Sequence, residues 1–214
     1  MEFIAEELQA YIEAHSKRES TLLQKINRDT YAEVLSPRML SGHLQGRVLS
    51  MLAHMIKPKS VLEIGTYTGY SAICISEGLA KGGKITTIDI NKELEDRTRG
   101  YFKEAELENA VDYRIGNALE IIPSLKMKFD FVFIDADKIS YPAYYDLVVD
   151  RVQSGGFIIA DNVLWSGKVL EENLPNKDKD TPAIVKFNKS VHEDERVENV
   201  LFPIRDGLMI LRKL

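Results

Sequence analysis

Val61-Leu62-Glu63-Ile64-Gly65-Thr66-Tyr67-Thr68-Gly69-Tyr70-Ser71 is the stretch that decides the fold. The apolar run Val61, Leu62 and Ile64 ends in a glycine-containing turn, and a helical pattern follows from Tyr70 to Leu79. Strand, tight turn and helix form the opening of a nucleotide-binding α/β unit, in which helix N–H groups aim at the ligand. The spacing is not Gly-x-Gly-x-x-Gly, since three other residues separate Gly65 from Gly69. Without a close glycine pair the backbone leaves less room for a pyrophosphate. Glu63 at the strand end would repel a phosphate and suits a ligand bearing an ammonium group. These features point away from a nicotinamide dinucleotide and towards a cofactor with an amino-acid tail.

Strands and helices alternate onward from this unit. Second to fourth strands are expected at Lys84–Asp89, Val111–Ile115 and Phe129–Asp135, the last apolar enough to be buried on both faces. Asn91 caps a helix running to about residue 106, and Pro123 ends a short helix that follows Gly116-Asn117-Ala118. A helix carrying Tyr144, Leu147, Val148 and Val149 precedes a fifth strand at Gly155–Asp161. Residues 163–180 read as a polar loop, 181–191 as a last helix, and 197–203 with 207–211 as an antiparallel pair. Repeated β-α units imply a parallel sheet with helices on both faces.

Before the glycine turn, residues 1–57 read as a helical lead-in. Phe3, Ile4, Leu8, Tyr11 and Ile12 mark a first helix, and Leu22, Leu23, Ile26 and Tyr31 a second that stops at Ser36-Pro37. A third, from Ser41 to Ile56, carries Leu44, Val48, Leu49, Leu52 and Ile56 on one face, with Met51 and Met55 read as core filler. The chain is expected to be one domain over 1–214, its α/β core spanning 60–214.

At 214 residues the chain fits one α/β domain with a sizeable core. A net charge of -5 disfavours nucleic acid or an anionic membrane as the main partner without excluding a local basic patch. The acidic start, Met1-Glu2-Phe3-Ile4-Ala5-Glu6-Glu7, does not read as a secretory signal, and no uncharged run approaches the roughly 20 residues of a membrane helix. A cytoplasmic location is the default expectation. Cys74, the single cysteine, reads as a small buried side chain rather than a nucleophile.

Ligands of such sheets gather at the carboxyl ends of the strands, where the sequence places Glu63, Asp89, Asn117, Asp135, Asp137, Asp161 and Asn162. Carboxylates concentrated there are electrostatically costly unless cations or hydroxyl donors meet them. Asp89, more than about 20 positions after the glycine turn, suits ribose hydroxyls; it could equally be a carboxylate at a helix start. If strands four and five are neighbours, Asp135, Asp161 and Asn162 converge from ends about 5 Å apart. Two carboxylates and an amide oxygen suit Mg²⁺, Ca²⁺ or Mn²⁺ rather than zinc, and leave room for a substrate chelating through two oxygens. The plainer reading is that Asp161-Asn162 turns the chain while Asp135 caps a helix. Lys138 is either a general base beside the cation or a solvated loop lysine, and Trp165 either a pocket wall or a loop anchor.

Taken as a set, Leu62 to Ser71, Asp89-Ile90-Asn91, Phe133-Ile134-Asp135-Ala136-Asp137-Lys138 and Asp161-Asn162-Val163-Leu164-Trp165-Ser166-Gly167 resemble the cation-dependent O-methyltransferases of caffeoyl-CoA and catechol type. The similarity runs from about Met39 to Leu211, with the motifs in order. It implies a Rossmann-like methyltransferase fold: a mainly parallel seven-stranded sheet with an antiparallel C-terminal strand, preceded by helices. It also implies S-adenosylmethionine as methyl donor. By resemblance, Met39, Ser41, Glu63, Gly65, Ser71, Asp89, Ala118, Asp137 and Tyr144 contact that cofactor. Asp135, Asp161 and Asn162 match the metal ligands, Lys138 and Asp135 the catalytic pair, and Trp165 and Ser166 the substrate side. The implied acceptor is a small catechol-like phenol, and the implied assembly a homodimer. The plant enzymes carry threonine where Ser41 stands, on the cofactor side, and asparagine where Ser166 stands, on the substrate side; the second departure leaves the acceptor open. The alternatives are methylation of another target such as a transfer-RNA hydroxyl, a nicotinamide-dependent oxidoreductase, and a cofactor-binding protein without turnover.

Overall fold

Short apolar runs become strands, and longer amphipathic stretches helices, in the computed structural model, which describes residues 4–214. Phe3, expected in the first helix, and the two residues before it lie outside the described part. In chain order the elements are α1 (Glu6–Ala14), α2 (Thr21–Glu33), α3 (Gly42–Ile56), β1 (Ser60–Ile64), α4 (Tyr70–Ser76), β2 (Lys84–Asp89), α5 (Glu95–Glu104) and β3 (Val111–Ile115). There follow α6 (Ala118–Ser124), β4 (Phe129–Ile134), α7 (Tyr141–Val148), β5 (Val152–Ala160), α8 (Asp180–Glu193), β6 (Val197–Phe202) and β7 (Leu208–Lys213). The seven strands form one sheet in the order β3-β2-β1-β4-β5-β7-β6. β1 with β4, β4 with β5 and β2 with β3 are parallel, whereas β7 is antiparallel to both β5 and β6. The seven strands and the antiparallel C-terminal strand agree with the expectation from sequence. Among the described residues no helix is long and apolar enough to cross a membrane.

The chain divides into two compact units, one of Ser60–Ile64 with Ala118–Leu214 and one of Ile4–Lys59 with Gly65–Asn117. The first has β4 at its centre: Phe129, Phe131, Val132, Phe133 and Ile134 are all fully buried, as are Ile158 and Ile159 of β5. Each such side chain contributes about 1.5–3 kcal/mol relative to exposure. Phe187 of α8 meets Tyr141 and Tyr145 of α7 edge to face, with ring centroids 5.5 and 6.1 Å away. β5 starts three residues earlier than its apolar run suggests, because Gly155 takes a left-handed φ of 81° and the pairing with β4 shifts between Phe129 and Phe131. The strand absorbs an irregularity that an alternation pattern does not reveal.

In the second unit α2 is capped by Ser20, whose side chain accepts from Leu23 N–H at 3.3 Å. Leu23 and Ile26 of α2 pack with Tyr70, Ile73 and Cys74 of α4 and Phe102 of α5 in one buried cluster. α3 differs from its sequence reading. Its buried residues are Gln45, Gly46, Leu49, Ser50 and Ala53, whereas Met51 and Met55 are 63% and 74% exposed. The reason is close approach: a Cβ on Gly46 would stand 2.7 Å from Tyr70 Cε1 and 2.8 Å from Cys74 Sγ. Gly46, Ser50 and Ala53 on that face allow the close approach, and the methionines, on the exposed side, are not core filler. Arg47 pairs with Glu77 at 2.8 Å, and Ser50 donates to the same carboxylate at 2.7 Å. α4 ends at Ser76 instead of running to Leu79, and Gly78 follows within one turn of its end.

A Cβ on Gly78 would lie 2.3 Å from the backbone of Ala53 and His54, whereas one on Gly100, inside α5, would meet nothing within 4 Å. Gly78→Ala should therefore destabilise the protein by about 2 kcal/mol or more, and Gly100→Ala should stabilise it by about 0.5–1 kcal/mol. Urea unfolding midpoints of the two variants check this, and equal midpoints would contradict the packing described.

Candidate active site

The register of two strands builds the acidic centre of the first unit. Ile134 pairs with Ala160, and the Asp161 N–H donates to Ile134 carbonyl oxygen at 3.0 Å. Asp135 and Asp161 are thereby the next residues on neighbouring, hydrogen-bonded strand ends. Asp161 is 3% exposed, and its Oδ1 accepts from Asn162 N–H at 2.7 Å. Asn162 follows with a left-handed φ of 57°, a conformation asparagine tolerates better than most residues. The capping role that sequence allowed for Asp135 belongs to Asp137, which accepts from Ser140 N–H at 3.2 Å.

Lys138 is not a solvated loop lysine: it is 7% exposed. Its Nζ donates to Asp135 Oδ1 at 3.0 Å and to the Tyr141 hydroxyl at 2.6 Å, spending two of its three donors. Tyr141 is fully buried, and its own proton serves the carbonyl of Asp161 at 3.0 Å or of Ile134 at 3.2 Å. Burial first, then the charges of Asp135 and Asp161, hold the Tyr141 hydroxyl well above the ordinary tyrosine range. It is therefore a neutral strut that aims the lysine while fixing the two strand ends. Sequence reading missed Tyr141, although its position three residues after Lys138, on the same side of a helical turn, was a usable signal.

Among the described residues no three of His, Cys, Asp and Glu cluster as a metal site. The expected set has two carboxylates with an amide as third donor, so the chemistry of the donors is the relevant test. Asp135, Asp161 and Asn162 offer two carboxylates and an amide oxygen as donors, an all-oxygen set. The residues fit a hard divalent cation.

Trp165 is half-buried and lines a cavity of about 300 Å³ together with Lys168, Pro175, Lys177, Asp178 and Asp180. Ser166 is exposed and is not among those lining residues. The remaining expected cofactor positions of this unit are Glu63, fully buried on β1, Ala118, buried at the start of α6, and Tyr144. The Tyr144 hydroxyl donates to Asp137 Oδ1 at 2.5 Å, and burial followed by that bond raises its pKa above the usual tyrosine value.

In the second unit the glycine turn is built around Asp89. Gly65 and Gly69 take φ of 101° and 80°, and Gly65 N–H donates to Ile88 carbonyl oxygen at 2.9 Å. Asp89 accepts from Tyr67 N–H at 2.6 Å and from Asn91 N–H at 2.8 Å. Each carboxylate oxygen keeps a further lone pair for a hydroxyl donor. Tyr67, itself left-handed at φ 50°, donates its hydroxyl to the carbonyls of Leu35 and Ser36 at 3.1 and 3.3 Å. It ties the turn to the segment leading to Met39, which is 62% exposed, and Ser41, which is buried. No sequence signal singled out Tyr67. Ser71 is buried in the first turn of α4. Cys74 lies fully buried, its thiol pushed up to about 12 by desolvation, in keeping with a structural role.

Comparison with known proteins adds to this geometry. A family model described as O-methyltransferase matches residues 13–214, so it spans both units. The caffeoyl-CoA O-methyltransferase of Stellaria longipes is 30% identical over 221 aligned residues, covering 98% of this chain and 91% of that protein. Among solved structures, the O-methyltransferase from Bacillus cereus in complex with SAH superposes with a TM-score of 0.90 at 27% identity, covering 97% of each chain. TomG of Streptomyces achromogenes, an O-methyltransferase crystallised with SAM, superposes at 0.87 and 25% identity over 97% of this chain and 96% of its own. With the glycine turn, the strand order and the acidic strand ends, these matches carry one conclusion: the chain belongs to the S-adenosylmethionine-dependent O-methyltransferases of caffeoyl-CoA and catechol type.

Proposed function

We propose that the protein, acting as a single methyltransferase domain, methylates one hydroxyl of a small catechol-like phenol with the help of a divalent cation held by Asp135, Asp161 and Asn162. Mg²⁺ is the leading candidate, with Ca²⁺ and Mn²⁺ sharing its preference for oxygen ligands. The observation that carries this reading is the pair of carboxylates on adjacent strand ends beside the buried amine of Lys138. When bound, the cation lowers the pKa of a chelated hydroxyl and S-adenosylmethionine supplies the methyl group.

The chain's own residues do the rest. As the neutral amine, its own extra proton already released to solvent, Lys138 Nζ is aimed by Tyr141 to take the proton of the acceptor hydroxyl; Asp135 stabilises the ammonium that results. Trp165 forms an apolar wall for the acceptor ring, with Ser166 beside it. Asp89 takes the ribose hydroxyls, and Glu63 the ammonium of the methionine moiety. Gly65, Ser71, Met39 and Ser41 of the second unit, and Ala118, Asp137 and Tyr144 of the first, are the further cofactor contacts that the family resemblance implies. Fixing both partners and excluding water supplies much of the rate, since no covalent enzyme intermediate is required. The exposed Met51 and Met55 of α3 offer apolar surface for the expected homodimer.

Methylation of a test catechol such as 3,4-dihydroxybenzoic acid should vanish in excess EDTA and return with Mg²⁺ or Mn²⁺; full activity under chelation would contradict the cation reading. Asp161→Ala should lose activity by about 100-fold or more while binding S-adenosylhomocysteine normally, whereas Asp89→Ala should weaken that binding about 10-fold or more. Calorimetric titration with the cofactor product and initial rates separate the two. Reversed phenotypes would show that the roles are misassigned.

A further inference from the structure

We propose that Asp206, in the turn between β6 and β7, is a positioning residue that sets the acceptor-side segment Asn162–Gly167, an inference that rests on the reading of Trp165 and Asn162 given above. The segment has an uncommon backbone. Asn162, Trp165 and Ser166 take φ of 57°, 48° and 55°, and Gly167 81°. For residues with a side chain this left-handed region is sterically unfavourable, and such residues persist only when their surroundings impose the conformation.

The β6–β7 turn imposes it. Asp206 Oδ1 accepts from Ser166 N–H at 2.5 Å, and Asp206 carbonyl oxygen accepts from Leu164 N–H at 2.9 Å. One residue thus holds the chain on both sides of Trp165, with side chain and main chain. Next to it, Val163 N–H donates to Gly207 carbonyl oxygen at 3.2 Å, and Asn188 of α8 donates to Val163 carbonyl oxygen at 2.8 Å. The turn is itself fixed, since Gly207 N–H donates to Ile204 carbonyl oxygen at 2.9 Å. Gly207 sits at φ 88°, where a Cβ would stand 2.6 Å from Leu164 Cγ, so the turn and the segment are in direct contact.

Removing the Asp206 carboxylate frees the Ser166 N–H while leaving the main-chain bonds in place. The disturbance is then confined to Trp165 and Ser166, the acceptor side. An amide in place of the carboxylate keeps an oxygen that can accept the same N–H.

The test compares full-length wild type, Asp206→Ala and Asp206→Asn, using 3,4-dihydroxybenzoic acid as acceptor with Mg²⁺. Asp206→Ala should raise the acceptor KM by about 10-fold, the lower end for loss of a hydrogen bond to a charged group, with kcat and affinity for S-adenosylhomocysteine little changed. Asp206→Asn should return most of that KM. Trp165 is the chain's one tryptophan, so acrylamide quenching of its fluorescence reads the segment directly in protein without ligands. Quenching should rise in Asp206→Ala and fall back in Asp206→Asn. Equal quenching in all three proteins, or a wild-type KM in Asp206→Ala, would overturn the proposal. If wild type does not turn over this acceptor, the catechol reading fails, and the quenching series alone decides the role of Asp206.

Discussion

One backbone hydrogen bond, from Asp161 N–H to Ile134 carbonyl oxygen, fixes the parallel register that sets Asp135 and Asp161 side by side. Two carboxylates about 5 Å apart repel by about 3 kcal/mol at an effective dielectric constant of about 20. The fold accepts that cost only with positive charge nearby. Lys138 supplies one charge through its bond to Asp135. In the proposed mechanism Lys138 acts as the base, and a divalent cation held at the same strand ends would supply positive charge there while the lysine is neutral.

The same strand ends explain the supporting residues. Tyr141 reaches from α7 to the carbonyls of both Ile134 and Asp161, so the strut that aims Lys138 also braces the register beneath the carboxylates. Its buried, neutral hydroxyl costs little because every partner is a hydrogen-bonding group. On the far side of Asn162 the left-handed run to Gly167 is braced by the β6–β7 turn and α8. The antiparallel placement of β7 next to β5 is what brings that turn to the carboxyl end of β5. In the second unit Asp89 plays a parallel organising part, since it fastens the glycine turn by Tyr67 N–H before any ribose is considered.

Much of this was readable from the chain alone, and the failures have physical causes. Val61 to Ser71 announced the first β-α unit because strand apolarity, glycine spacing and helix period agree locally. The acidic strand ends were readable because alternation of strands and helices fixes where each strand must stop. Periodicity along α3 could show an apolar face but not which face is covered; close approach of α4 at Gly46 decided that, and left Met51 and Met55 outside. Asp206, Tyr67 and Tyr141 escaped notice because they act through hydrogen bonds to backbone groups. Such bonds carry no sequence period, and the partners of Asp206 and Tyr67 are distant in the chain. The strand bulge at Gly155 and the left-handed run after Asn162 were invisible for a related reason: backbone angles outside the usual regions are set by tertiary contacts.

The most direct test of the central claim is a crystal of the protein grown with S-adenosylhomocysteine and soaked in Mn²⁺, with anomalous scattering used to locate the ion. The account predicts one strong peak bounded by oxygens of Asp135, Asp161 and Asn162 at about 2.1–2.3 Å. No peak between those side chains, or an ion bound only elsewhere, would contradict it.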